Sequence, residues 1–172
     1  MGINATIFCA KRKTPHARTL EAKAAGAKIV QVPTGYLSNV RAKARGYCET
    51  TGALLLPFGL DSLTALTAIA QAAAVQRQTG LVDQVWCVGG SGVLCRGLQA
   101  GITKAEFHVV QVGRELSPAD VGGAIVHQYP LDFAKDARIK PPFPSCSNYD
   151  AKAWEVLRSQ ARGRVLFWNV MG

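Results

Sequence analysis

The stretch Val85-Trp86-Cys87-Val88-Gly89-Gly90-Ser91-Gly92, continued by Val93-Leu94-Cys95-Arg96-Gly97-Leu98, decides the fold. Four apolar residues with high β-propensity run without a polar interruption. An unbroken run of this kind fits a strand covered on both faces better than a half-solvated one, which would alternate. The glycine cluster behind it breaks the strand, and the next residues follow a helical pattern. A buried strand, a glycine turn and a helix in this order place backbone N–H groups and the positive end of a helix dipole at one point, a natural seat for an anion such as a phosphate. The same glycines also serve a plain strand-to-helix turn that needs positive φ or close packing.

Working outward, five further strand-like runs appear at 5–10, 28–32, 53–58, 107–112 and 165–170. Helical patterns lie between them at 19–25, 40–50, 62–78, 93–99 and 150–160. Ser38 or Asn39, Asp61 or Ser62, and Asn148 or Asp150 stand where N-caps are expected, and Gly26, Gly52 and Gly80 where helices stop. Strands alternating with helices over short connections predict an α/β fold: a doubly wound, mostly parallel sheet with helices on both faces, a three-layer αβα arrangement. The organisation reads as a smaller basic α/β lobe over 1–50 and a larger lobe with the glycine-rich loop over 51–172, or as one continuous domain. Pro141, Pro142 and Pro144 mark a stiff, extended connection rather than a flexible linker.

Composition narrows the function classes. At 172 residues, 48% hydrophobic and 18% charged, the chain is long enough for a real core and unlike a disordered one. No apolar run has membrane-spanning length, and the basic residues Lys11, Arg12 and Lys13 follow the first apolar run instead of preceding it as in a signal peptide, so a cytoplasmic protein with no membrane partner is expected. The five cysteines form no Cys-x-x-Cys pair and the three histidines stand at no metal spacing with them, which argues against a zinc site or a disulfide framework. The net charge of +9 is uneven: residues 1–50 hold nine Lys and Arg against two acids. Such a basic part suits an anionic partner, nucleic acid among them, and equally a solvated basic surface. No aromatic residue interleaves with Lys11, Arg12, Lys13, His16 and Arg18, so the stacking half of a single-strand binding surface is missing from the local sequence.

Gly90, Ser91 and Gly92 are the foremost candidates for phosphate contact. Gly59 and Ser62, in the corner Pro57-Phe58-Gly59-Leu60-Asp61-Ser62, form a second strand-to-helix turn expected at the same sheet edge, where open α/β sheets bind their ligands. Ser145 and Tyr149, in Ser145-Cys146-Ser147-Asn148-Tyr149-Asp150, offer a hydroxyl and a phenol as ligand neighbours, in a segment whose residue types also suit a turn and a helix cap. The strict Gly-x-Gly-x-x-Gly spacing and the Gly-Lys-Ser/Thr ending of nucleotide loops are absent. His108 and His127 lie in apolar settings and read as core or boundary residues.

The run from Gly90 to Leu98 is similar, without a gap, to the Gly-Ser-Gly-Gly-Thr-x-Ala-Gly-Leu loop of pyridoxal-phosphate enzymes of fold type II, the tryptophan synthase β superfamily, in its aminocyclopropane-carboxylate deaminase and D-cysteine desulfhydrase branch. Leu56-Pro57-Phe58-Gly59, followed by a helix with Gln71 and Gln76, resembles the family's Pro-x-Gly corner. Residues 19–30 resemble the second half of its small domain, and Tyr149-Asp150-Ala151-Lys152 with Val165-Leu166-Phe167-Trp168 resembles its late Tyr-x-x-Lys helix and closing strand. The resemblance implies pyridoxal phosphate as cofactor, its phosphate wrapped by the glycine loop, and lyase, deaminase or β-replacement chemistry on an amino acid or amino-acid-like group. Val93 and Leu94 depart from it, standing where the family has a glycine and a threonine. The early segment with the Schiff-base lysine has no counterpart here, and none of Lys11, Lys13 or Lys152 stands in its context, so no catalytic residue is assigned.

Three readings follow. The chain is one part of a split or truncated pyridoxal-phosphate enzyme, working as a homo-oligomer or with a complementing chain. Alternatively, it is a phosphosugar- or nucleotide-handling transferase, phosphoribosyltransferase-like, using the same turn for a small phosphorylated ligand. As a third reading, it is a non-catalytic module binding nucleic acid or a partner through its basic N-terminal part.

Overall fold

The computed structural model describes residues 4–33, 36–77 and 80–170. The chain divides into two compact units, Met1–Leu56 and Pro57–Gly172. In the first, strand β1 (Thr6–Ala10) leads through helix α1 (Ala17–Ala24) to strand β2 (Lys28–Val32), and helix α2 (Leu37–Thr51) follows. β1 and β2 pair in parallel, from Thr6 opposite Lys28 to Ala10 opposite Val32. Phe8 and Tyr47 pack with ring centroids 5.5 Å apart, bringing α2 onto this small sheet.

The second unit holds a one-turn 3₁₀ corner (Phe58–Leu60), α3 (Leu63–Arg77), β3 (Gln84–Gly89), α4 (Val93–Gly101), β4 (Glu106–Gln111), α5 (Pro118–Val121), β5 (Ile125–Gln128), α6 (Asp150–Gln160) and β6 (Val165–Trp168). The four strands form one parallel sheet in the order β5-β4-β3-β6. β3 is central, and Val85, Trp86, Cys87 and Val88 are buried, as the uninterrupted apolar run predicts. Its side chains alternate between two cores. Val85 and Cys87 pack with Ala73, Cys95, Leu98, Val109 and Val121 on the side of α3, α4 and α5. Trp86 and Val88 pack with Val110, Tyr129, Ala153 and Leu157 on the side of α6. This is the three-layer αβα arrangement expected from the sequence.

One expected strand is absent. Residues 53–57 have no regular structure and 58–60 make the 3₁₀ turn. Leu54 is 87% exposed and Leu56 67%. A short apolar run states hydrophobicity, not pairing, and among the described residues no strand forms a ladder with it. Two elements escaped the sequence reading, α5 and β5. β5 is a four-residue edge strand with Ile125 and Val126 partly exposed, too short to leave a periodicity. The caps also differ. α2 begins on Tyr36 rather than Ser38 or Asn39, and α6 on Tyr149 rather than Asn148 or Asp150, neither with a side-chain cap bond. Ser62 does cap α3, accepting from the Ala65 amide at 3.2 Å. The expected end of that helix at Gln78 lies outside the described residues.

Candidate anion site at the carboxyl end of β3

β3 feeds α4 on one face of the sheet, and the chain returns through α6 on the other face to lay β6 along β3. The carboxyl end of β3 is therefore the place where the winding reverses, the usual ligand crevice of an open parallel sheet. The turn Gly90-Ser91-Gly92 occupies it. Gly92 is the N-cap of α4, with φ +84° and no side-chain cap bond. The first backbone bond into the helix is Arg96 N to Gly92 O, at 3.0 Å. The amides of Val93, Leu94 and Cys95 thus make up an uncapped first turn at the positive end of α4.

Protein groups crowd the turn from three directions, and this accounts for its glycines. Gly90 lies against Tyr149: a Cβ there would stand 3.0 Å from the phenol oxygen. Gly92 lies against the Asp120 carbonyl at the end of α5, with no space for a side chain. Gly59 of the 3₁₀ corner, at φ +73°, lies against the Ser91 hydroxyl. Gly59, Gly90, Ser91, Gly92 and Tyr149 are thus brought together from three separated segments. Ser62 is in the same corner as Gly59, with its hydroxyl engaged by the α3 cap.

Burial pushes the Tyr149 phenol up to about 12, helped by the Asp150 carboxylate beside it and opposed by a hydrogen bond from the Gly90 backbone. Tyr149 is a neutral group over the ordinary pH range, able to donate a hydrogen bond. Ser145 has a buried Oγ with no partner among the described residues, as does Asn169 at Oδ1, while Asn169 Nδ2 donates to the Pro144 carbonyl at 2.8 Å. Asp150 is wholly buried and accepts from the Val170 amide at 3.1 Å, tying the start of α6 to the end of β6.

Two cationic residues beside the turn were missed by the sequence reading. Arg114, in the loop after β4, holds Asp120 through Nη2 at 2.7 Å and reaches the Ser91 carbonyl at 3.4 Å. Its position was readable in principle, since it follows the strand next to β3 at the same sheet edge. Arg96, in the second turn of α4, pairs with Asp61 at 2.7 Å and keeps a buried, unpartnered Nε. It stands within the loop motif itself.

Lys152 is the one buried lysine among the described residues. Its amine donates to the Asp132 carbonyl at 2.8 Å and the Phe133 carbonyl at 3.3 Å, and lies 5.1 Å from the centre of the Tyr129 ring. Burial lowers its pKa, against the Asp136 and Asp132 carboxylates, which raise it. The geometry gives it a strapping role, binding the loop after β5 to α6. Among the described residues no group of three or more His, Cys, Asp or Glu could hold a metal ion. No described helix is long and apolar enough to cross a membrane.

Fold and site together define the class: an α/β protein whose larger unit is a parallel, doubly wound sheet with a glycine turn at its reversal point. Compared with known proteins, the chain matches no family model and no curated sequence.

Proposed function

We propose that the unit Pro57–Gly172 is the phosphate-holding part of a pyridoxal-phosphate enzyme of fold type II, acting on an amino acid or an amino-acid-like group. The observation that carries the reading is the uncapped first turn of α4, opening from a glycine turn at the winding reversal with Arg114 beside Ser91. In this reading the amides of Val93–Cys95 and the Ser91 hydroxyl hold a phosphate, and Arg114 adds a charge-assisted contact. Tyr149, as a neutral phenol, supplies a donor next to Gly90. The 3₁₀ corner with Gly59 and the Tyr149 ring pack against the turn at Ser91 and Gly90.

Pyridoxal phosphate, when bound, supplies an electron sink for bond cleavage beside the substrate amino group. The residues present suit its phosphate. They do not supply its covalent anchor, because the Lys152 amine is committed to two backbone carbonyls. In this reading the anchoring lysine is supplied by a segment outside the unit Pro57–Gly172, of this protein or of a complementing chain, and the protein works as a homo-oligomer or with that chain in a cytoplasmic setting.

The test is a thermal-shift and calorimetric titration with pyridoxal phosphate, pyridoxal, ribose 5-phosphate and inorganic phosphate. A ligand at about 100 times its Kd stabilises the folded state by about 2.7 kcal/mol. Pyridoxal phosphate should bind more tightly than pyridoxal and than inorganic phosphate, and Ser91→Ala should weaken it. Equal binding of pyridoxal and its phosphate would remove the turn from the site. Tighter binding of ribose 5-phosphate would replace the cofactor reading with a phosphosugar one.

A further inference from the structure

A feature of the other unit is independent of that reading. In the β1-α1-β2-α2 arrangement both strands point the same way, so the segments after β1 and after β2 emerge at one sheet edge. Lys11-Arg12-Lys13 follows β1 directly, and the Lys11 amide still donates to the Val32 carbonyl at the end of β2, at 2.8 Å. Tyr36 follows β2 as the N-cap of α2, and its ring is 83% exposed. The parallel pairing therefore places at one edge what the sequence separates: three consecutive cations and a solvent-facing aromatic ring.

The cations are exposed, and none makes an ion pair with an acid among the described residues. Neither α1 nor α2 carries an acidic residue in its first turn. A tyrosine exposed to this degree leaves most of its ring surface open to a partner. Cations to follow a phosphate backbone, with an aromatic face for a base, are the two components of single-strand recognition.

We propose that the edge formed by Lys11, Arg12, Lys13 and Tyr36 binds a single-stranded nucleic acid, the cations contacting consecutive phosphates and Tyr36 stacking on a base. The charge complementarity favours a polyanion over a protein partner, and the exposed ring favours unpaired bases over a duplex, whose bases are already stacked.

The experiment is fluorescence anisotropy of the full chain with labelled oligothymidylate, the equivalent RNA, a duplex, and dextran sulfate as competitor. Three phosphate contacts give a slope of log K against log salt of about −2, and affinity falls about 20-fold between 50 and 200 mM salt. Replacing Lys11, Arg12 and Lys13 together by Ala should bring the slope close to zero. Tyr36→Ala should weaken binding about tenfold or more with the slope unchanged, and Tyr36→Phe should preserve it. The control pair Lys43→Ala with Arg45→Ala removes charge from the same unit, with Arg45 about 12 Å further along α2, and should cost much less. Either nucleic acid binding in this pattern supports the surface. The proposal is overturned if the duplex binds as tightly as single strands, if dextran sulfate competes as well as oligothymidylate, if Tyr36→Ala is neutral, or if the control pair costs as much as the triplet. Circular dichroism of each variant separates lost binding from lost folding.

Discussion

Gly92→Ala tests the packing of the turn directly. The residue has φ +84°, where an L side chain costs roughly 1–2 kcal/mol. A Cβ there would also overlap the Asp120 carbonyl, whose carbon would stand 2.6 Å away. That neighbour is backbone, held by the Ser117 cap and by Arg114, so it cannot swing aside; overpacking of this kind costs roughly 1–3 kcal/mol. The sum is about 2–5 kcal/mol. Gly90→Ala is the internal comparison. Its φ is not positive, and its new methyl would meet the Tyr149 hydroxyl at 3.0 Å, the far end of a side chain that can tilt. About 1 kcal/mol or less is expected there. Urea unfolding followed by tryptophan emission is the assay, because Trp86, Trp154 and Trp168 all lie in Pro57–Gly172 and report that unit alone. With an m-value of about 2 kcal/mol/M, Gly92→Ala should lower the midpoint by about 1–2.5 M and Gly90→Ala by about 0.5 M or less. Equal midpoints for the two variants would refute the account of Gly92 as the point where α5 rests on the start of α4.

Two further outcomes follow from titratable groups that folding withdraws from solvent, His127 in part and Lys152 wholly. His127 has its pKa lowered by burial first and by the neighbouring His108 second, so the unfolded chain takes up a proton before the folded one does; stability is full above about pH 6.5 and falls as the pH drops below it, and His127→Gln should flatten urea midpoints measured between pH 7.5 and 5.5. Lys152→Met leaves the Asp132 and Phe133 carbonyls without their charged donor and should cost about 2–3 kcal/mol by the same unfolding assay, while reductive methylation of the native chain followed by mass spectrometry should leave Lys152 unmodified.

The parallel sheet was readable because β3 is an uninterrupted apolar run and the helices have clear stops. The same rule failed at 53–58: hydrophobicity there equals that of a strand, but pairing depends on a partner that no local pattern reveals. β5 failed in the opposite way, being short and at an edge. At the site, the glycines were legible and their reason was not. Gly90 and Gly92 are small because Tyr149 and Asp120 approach them, and those residues are distant in sequence. Arg114 could be placed at the sheet edge from its position after β4, but its contact with Ser91 follows only from the register of β4 against β3. No aromatic residue interleaves with the basic segment in sequence, and only the parallel pairing of β1 with β2 sends Lys11 and Tyr36 toward the same sheet edge, which no local pattern shows.

β3 is flanked on one side by β4, which soon follows it, and on the other by β6, whose Val165 comes opposite Gln84 only after every other element of the sheet has been traversed. During synthesis on the ribosome, the most apolar strand of the molecule waits with one ladder of amides and carbonyls unmet until the last strand emerges. A nascent chain halted before Val165 would carry that sticky border into the cell, which makes premature termination in this stretch an aggregation hazard rather than a mere loss of a few residues.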